Sequence, residues 1–474
     1  MAKSALRDQP IAAVLTEEWL DDFAVERMLK YGTEVIEDRA LADFRDGLKP
    51  VHRKILWSMH KENMRSSGPT KKAARVVGDV MGKYHPHGDQ AIYGAAVTMG
   101  NLPRPLIASQ GNFGFFNGNP ASMRYTEIRL AKYSEQILLA PEYLAITQMM
   151  PNYDGEESEP IHLPALLPNL LINGVSGIAV GVVTNIPPFE IKGIVKLLQR
   201  AYKNQNISVK DCARYLRISY PAPFNSKVLT SEQELLEFYR TGEGRLLLGV
   251  DYEVDGNQMI IDKFPPYFDM GSAKNKLVER VPEVARADEI SEGENKIMRV
   301  ILKTGIPIMD RGKIFERCAE LLDNGINLRI NYIRRIDANH VEFGYCNMPE
   351  LIMRWVKWRI TLEKKMQRYV LAQLRATITR LQLMILAYNN LSKIFTELRR
   401  RTANLEQRLA TVLDISLEQA ETIARMQVRS LSALSYDNIV AEIKKHKRQV
   451  KQTKQYIQHP AQKILADLAT ISKI

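Results

Sequence analysis

After Gly344 the hydrophobic pattern turns helical and stays so: no glycine follows, and no proline lies between Pro349 and Pro460. Leu371, Leu374, Ile378, Leu381, Ile385 and Tyr388 are spaced 3, 4, 3, 4 and 3 residues apart, the repeat that makes the seam of a coiled coil. A helix starting at Pro349 and running to Tyr388 would be roughly 60 Å long at about 1.5 Å per residue, and proline suits a first helical turn. The segments LEQRLATVLDISLEQAETIARMQVRSLSAL and NIVAEIKKHKRQVKQTKQYIQ predict a helical cap and a returning helix. Together they form an antiparallel pair with a head at its far end. The charge run Lys444 to Lys454 reads as that helix's solvated face, with nucleic-acid binding as the alternative.

The earlier part has two other textures. From Thr33 to Tyr153, short helical patterns alternate with loops rich in Gly, Pro, Asn and His. Ala73, Val76, Val77, Val80 and Met81 follow helical spacing, HPHG ends that helix, and Asp89 is placed to cap the next, where Ile92, Ala95, Ala96 and Met99 recur. Two short helices and a tight turn fit a helix-turn-helix module and an ordinary αα-hairpin equally well. Near Thr126 a further helix is expected. From Asp154 to Gly344, RLLLGVDYEVDGNQMIIDKF reads as two strands about an Asp255-Gly256 turn, KIMRVILKTG as another strand and KIFERCAELLDN as a helix, so the class is α+β. The expected divisions are an N-terminal arm (1–32), a helical domain (33–153), an α+β domain (154–344) and the long helical region (345–474).

Composition narrows the function classes. With 474 residues, 45% hydrophobic and 25% charged, the chain is long enough for several cored domains, and disorder is not its theme. The net charge of +12 favours polyanions. Cys212, Cys318 and Cys346 follow no ligand or disulfide spacing, which fits a reducing compartment. The N-terminal apolar run is broken by Pro10 and acids, and no long uncharged stretch suggests a spanning helix.

Candidate chemistry begins at ASMRYTEIRLAKYSE, where Arg124 and Tyr125 stand side by side without an acid, base or metal motif. A phenol, with a pKa of about 10, is a weak nucleophile unless its phenolate or the transition state is stabilised. A guanidinium one residue away can do the latter on a phosphodiester, because it fits two phosphate oxygens. The resulting phosphotyrosine ester is close in energy to the bond broken, so the step is reversible. The dipeptide alone fits a surface or core tyrosine just as well. Nearby, Arg39, Arg45, Lys49, His52, Arg53 and Lys54 gather around a Gly-Leu-Lys-Pro turn, a charge density suited to phosphates. His85 and His87 precede a helix N-terminus, which can also face a phosphate. They lack a third ligand at a convincing metal spacing.

Four segments in order, RALADFRDGLKPVHRKILWSM, GKYHPHGDQAIYG, QGNFGFFNGNPASMRYTEIRLAKYSE and LPNLLINGVSGIAVGVVTNIPP, resemble the A subunit of bacterial type IIA DNA topoisomerases, the gyrase and topoisomerase IV family. The similarity extends over nearly the whole chain. It implies a winged-helix DNA-gate domain, an α+β tower and a long antiparallel coiled coil with a helical dimerisation head. Tyr125 would be the residue that links to the 5′ phosphate, with Arg124 stabilising the reacting phosphate. Arg39, Lys49, His52 and Arg53 match positions that hold bent gate DNA, and His85 and His87 lie near the scissile strand. Ile178 would wedge between base pairs; without the resemblance it reads as a buried strand residue. A homodimer would place one Tyr125 on each strand and break both.

No GxxxxGK[ST] loop and no DxD pair occurs. The resemblance therefore puts Mg²⁺ and ATP on a partner B subunit, in an A2B2 assembly acting on double-stranded DNA in the cytoplasm. The chain ends at Ile474, where cellular relatives continue into a β-pinwheel; the two readings are a truncated chain and a naturally short one of phage type. Relaxation or decatenation is the expected outcome of strand passage. Gln90 and Gly94 stand where bacterial relatives usually carry a hydroxyl and an acid, so weak quinolone sensitivity is expected. The alternatives are an inactive DNA-binding dimer of the same fold and, more remotely, a tyrosine recombinase.

Overall fold

The computed structural model describes residues 20–114, 118–292, 295–400, 404–426 and 436–471. Most of the expected N-terminal arm and the segment 427–435 of the expected helical cap lie outside them. The fold mixes helices with several small sheets.

The first core gathers around the helices Pro50–Lys61, Ala73–Lys83 and Asp89–Gly100. Leu56, Met59, Val77, Val80, Ile92 and Met99 bury one stripe of each against the others, as helical periodicity requires. Asp89 is the first helical residue, after Gly88, and makes no side-chain cap bond. A three-stranded sheet flanks these helices, with Glu127–Leu130 in its centre between Lys71–Lys72 and Ile107–Gln110. The expected helix near Thr126 is therefore a strand. Ile128 and Leu130 are buried while Glu127 and Arg129 alternate outward, the period of two that a half-buried strand needs.

A hairpin, Val175–Ala179 with Val182–Ile186, continues through the strands Asn324–Arg329 and Glu243–Leu248 into a four-stranded sheet. The expected turn at Asp255-Gly256 joins Asp251–Asp255 to Gln258–Lys263, and Gly256 adopts φ +60°. RLLL lies in the strand Glu243–Leu248, outside this hairpin. The strands Asn295–Leu302 and Val284–Glu292 complete a second sheet, whose core is closed by the helix Ile308–Leu322.

Met348–Asn389 is one helix, with Asn347 accepting a bond from the Glu350 amide and Pro349 in its first turn. Near its start Trp355 and Val356 join a core shared with Phe44, Leu170, Leu198 and Leu468. Farther along, Leu381 packs on Ile439 and Ile443 of the helix Tyr436–Gln458. Leu362 and Met366, nearer the start, pack in one core with Ile464 and Leu468, so the two arms run antiparallel. At the far end Leu383, Ala387, Ile394, Leu409 and Ile423 form a small separate core. One window of the long helix passes for a membrane span by length and composition alone, but it carries Arg375 and Arg380 and so is not an uncharged apolar stretch.

Candidate functional site

Tyr125 sits in the turn that leads into the central strand, its amide bonded to the Ser122 carbonyl at 2.8 Å. The turn is clamped from two sides. Ala73 and Ala74, at the start of one helix, donate their amides to Thr126 and Met123 at 3.0 and 3.2 Å. From the next helix the Tyr93 hydroxyl reaches the Ala121 carbonyl at 2.7 Å and the Thr126 hydroxyl at 2.9 Å. Thr126 is fully buried while Tyr125 is 64% exposed. The backbone is thus fixed and the phenol free, the arrangement a nucleophile requires. The Arg124 guanidinium lies over the Tyr125 ring, 4.9 Å from its centroid.

The basic turn divides into structural and available cations. Arg53, expected on DNA, is instead buried: its Nε and Nη2 donate to Asp46 at 2.7 and 3.1 Å, and Nη2 also to the Leu48 carbonyl. Arg45 grips Asp43 through two bonds of 2.9 and 2.6 Å. Although burial works the other way, this guanidinium holds the Asp43 carboxyl down to about 2. Lys54 donates to the Tyr84 carbonyl at 2.6 Å and stands 3.4 Å from Glu159. These three residues therefore shape the loop. The reason is burial: a cation inside the fold needs an anion at bonding distance.

Arg39, in a short helical turn, remains exposed. Lys49 donates to the Ser176 carbonyl at 2.8 Å, and burial together with Arg39 lowers its pKa. Burial and the cations Lys49 and Arg53 push the His52 imidazole down to about 3. Burial, Lys54 and His87 push His85 down to about 4, leaving it neutral at neutral pH. His87 is exposed and meets His85 edge to face at 4.5 Å. Among the described residues no cluster of three or more His, Cys, Asp or Glu is placed to hold a metal.

Ile178 is 77% exposed on its hairpin, beside Val180 and Val183 at 42% and 44%. The reading of a buried strand residue is thereby overturned. Gly177 explains how the hairpin lies so close to the basic turn: a Cβ there would meet the Ala40 carbonyl oxygen at 2.0 Å. Through Ser176 and Lys49 the hairpin is joined to the charged turn. The structure brings Arg39, Lys49, His52, His85, His87 and Ile178 into one connected region. The helix Asp89–Gly100 links this region to the tyrosine, with the histidines just before its start and Tyr93 on the Tyr125 turn. Gly94 on that helix faces open space.

Sequence reasoning missed Asp46. Its buried carboxylate accepts from the Leu48 amide at 3.0 Å, the Leu163 amide at 2.8 Å and Arg53, and so fixes the turn that presents Lys49. The Asp-Gly pair at residues 46 and 47 was a turn signal for it, but its partner Leu163 is distant in sequence.

Comparison with known proteins agrees with this geometry. The family described as the A subunit of DNA gyrase/topoisomerase IV matches residues 39–469. Similar proteins are the chloroplastic/mitochondrial DNA gyrase A subunit of Nicotiana benthamiana, 33% identical over 92% of this chain and 48% of that relative, and the DNA gyrase A subunit of Thermotoga maritima, 32% identical over 93% and 56%. That of Brachyspira hyodysenteriae is 32% identical over 93% and 54%. The chain spans about half the length of these curated relatives. It belongs to the family of DNA gyrase and topoisomerase IV A subunits.

Proposed function

We propose that this chain is the DNA cleavage and religation subunit of a type IIA topoisomerase. The observation that carries the proposal is the Tyr125 turn, a rigid backbone presenting an exposed phenol with a guanidinium against its ring. In the proposed step the phenol oxygen attacks a backbone phosphorus and the bond from phosphorus to the 3′ oxygen breaks. The phenol loses a proton, the 3′ oxygen gains one, and the 5′ phosphate stays on Tyr125. Arg124 stabilises the charge gathering on the phosphate. The reverse step reseals the strand.

Arg39, Lys49, His52, His85 and His87 would hold the backbone of the gate duplex, and Ile178 would unstack a base step. Such unstacking costs about a few kcal/mol, offset by contacts to the bent duplex. In this proposal residues 33–153 would form a winged-helix gate, 154–344 a tower, and 345–474 a coiled coil with a dimerising head, after the arm 1–32. Two chains place two tyrosines on the two strands. In keeping with the family, Mg²⁺ and ATP are assigned to a B subunit in an A2B2 assembly. The gyrase relatives lend no support to an inactive scaffold.

The test combines the chain with a B subunit, Mg²⁺ and supercoiled DNA, followed by denaturation and proteolysis. Protein-linked linear DNA is expected, with its 5′ end on Tyr125, and Tyr125→Phe should reduce it to background while still binding duplex. An adduct that persists in Tyr125→Phe would refute the assignment.

A further inference from the structure

The central strand Glu127–Leu130 leads out of the Tyr125 turn, and the residues that follow it, 131–133, enter the wall of a cavity of about 820 Å³. Segments far apart in the chain close the rest of that wall. They are residues 103–105 after the helix Asp89–Gly100, 189–192 at the start of the helix Ile191–Asn204, 219–221, and Ile471 at the end of the helix Pro460–Ile471. None of the residues assigned above to the gate duplex lines it.

The lining has an aromatic part and a cationic part. Tyr133, Phe189 and Tyr220 line the cavity together with Ile137, Leu167 and Ile172. Arg104, Lys132 and Lys192 line it as well, each exposed and none in an ion pair among the described residues. Their backbones are held in place. The Arg104 amide donates to Asn173 Oδ1 at 2.8 Å, the Ala131 amide next to Lys132 donates to the Leu106 carbonyl at 3.1 Å, and Lys192 lies in the first turn of its helix. The Tyr133 hydroxyl donates to Asn169 Oδ1 at 3.4 Å, and Arg104 stands near enough to oppose the rise that burial imposes on this phenol. Glu190 is the one acid among the lining residues. It is the N-cap of the helix that carries Lys192, where the helix dipole already offsets its charge. The cavity therefore keeps a surplus of positive charge beside an aromatic wall.

We propose that this cavity binds a nucleotide-sized aromatic phosphate, its ring against the aromatic wall and its phosphates on Arg104, Lys132 and Lys192. Every nucleobase has a flat face that stacks on aromatic side chains, and guanidinium and ammonium groups are strong partners of phosphate. The volume falls within the range of about 300–1,000 Å³ usual for small-molecule sites. A purely apolar ligand would leave the cations without a partner, and inorganic phosphate would leave the aromatic wall bare. The site is separate from the ATP assigned to a B subunit, and the inference does not depend on the gate function. An occupant would tie the segment that follows the Tyr125 strand to the other segments of the wall.

The experiment uses the intact chain without a B subunit and a fluorescent N-methylanthraniloyl derivative of ADP, followed by anisotropy. Wild type is expected to bind it saturably, with ADP displacing it and with adenosine and inorganic phosphate each at least about tenfold weaker as competitors. The double variant Arg104→Gln and Lys192→Gln should lose at least about tenfold in affinity, and Tyr220→Leu at least about threefold. A control with the same charge change at exposed Lys203 and Lys303 should bind as wild type does. Saturating ADP should also raise the melting midpoint of wild type and control while leaving that of the double variant in place. The site is overturned by no saturable binding in wild type, by equal competition from adenosine or inorganic phosphate, or by unchanged affinity in either cavity variant. Displacement of the probe by a short duplex overturns it too, because that places the nucleotide on the DNA surface. The gate function is judged separately, by the Tyr125 adduct.

Discussion

The Tyr125 side chain and Ile178 share an uncommon property for large apolar or aromatic groups in a folded protein, in that each is majority exposed on a firmly held backbone. Truncating either removes little buried area, so effects on function separate from effects on stability. Ile178→Ala should shift the unfolding midpoint negligibly while reducing duplex bending and Tyr125 adducts several-fold. A fluorescence-transfer assay on end-labelled duplex checks this, and unchanged bending would count against the wedge. His162 is the converse case. It is buried against Trp358, and burial together with Arg45 pushes its pKa down to about 3. The unfolded chain, with a histidine pKa of about 6.5, takes up the proton first. Its contribution is therefore fully present above pH 6.5 or so, and is lost as pH falls toward about 3. Urea midpoints should drop through that window, less steeply for His162→Gln.

At the scale of elements, the basic loop that presents Lys49 depends on a glycine. Gly47 adopts φ +66°, and a Cβ there would lie 2.2 Å from the Leu170 amide nitrogen. Both strain and overlap oppose any side chain. Gly47→Ala should cost at least about 1–3 kcal/mol by thermal melts and weaken duplex binding, because the next two residues carry the loop to Lys49. Wild-type melting and binding would show that the loop tolerates displacement. The strand at Glu127–Leu130 illustrates the reverse problem. Its residues carry a helical and an alternating pattern at once, and pairing with two neighbouring strands decides between them.

Across the whole molecule, the base of the long helix ties its parts together. Arg359, fully buried, pairs with Glu363 at 2.9 Å and donates to the Tyr143 hydroxyl at 3.0 Å, while that hydroxyl donates to Glu363 at 2.6 Å. Tyr143 lies before residue 154 and Arg359 on the long helix, so one buried network joins the N-terminal part of the fold to the long helix. Removing either charge strands the other. Arg359→Met and Glu363→Leu should each destabilise by about 3–5 kcal/mol, and the double variant by much less than their sum. Additive losses in chemical denaturation would show that the pair is not coupled.

The local patterns were legible in sequence: the helices Ala73–Lys83 and Asp89–Gly100, the Asp255-Gly256 hairpin, the long helix and its antiparallel return, all set by periodicity, proline and glycine within a few residues. Motif order also pointed to Tyr125 and Arg124. Tertiary structure alone decided which charges were available. Arg53 and Arg39 are equally basic in sequence, but burial against Asp46 makes one a support and leaves the other free. It also turned Ile178 outward. Charge and apolarity belong to the residue, whereas exposure and partnership depend on contacts between residues far apart in the chain, which local periodicity cannot encode.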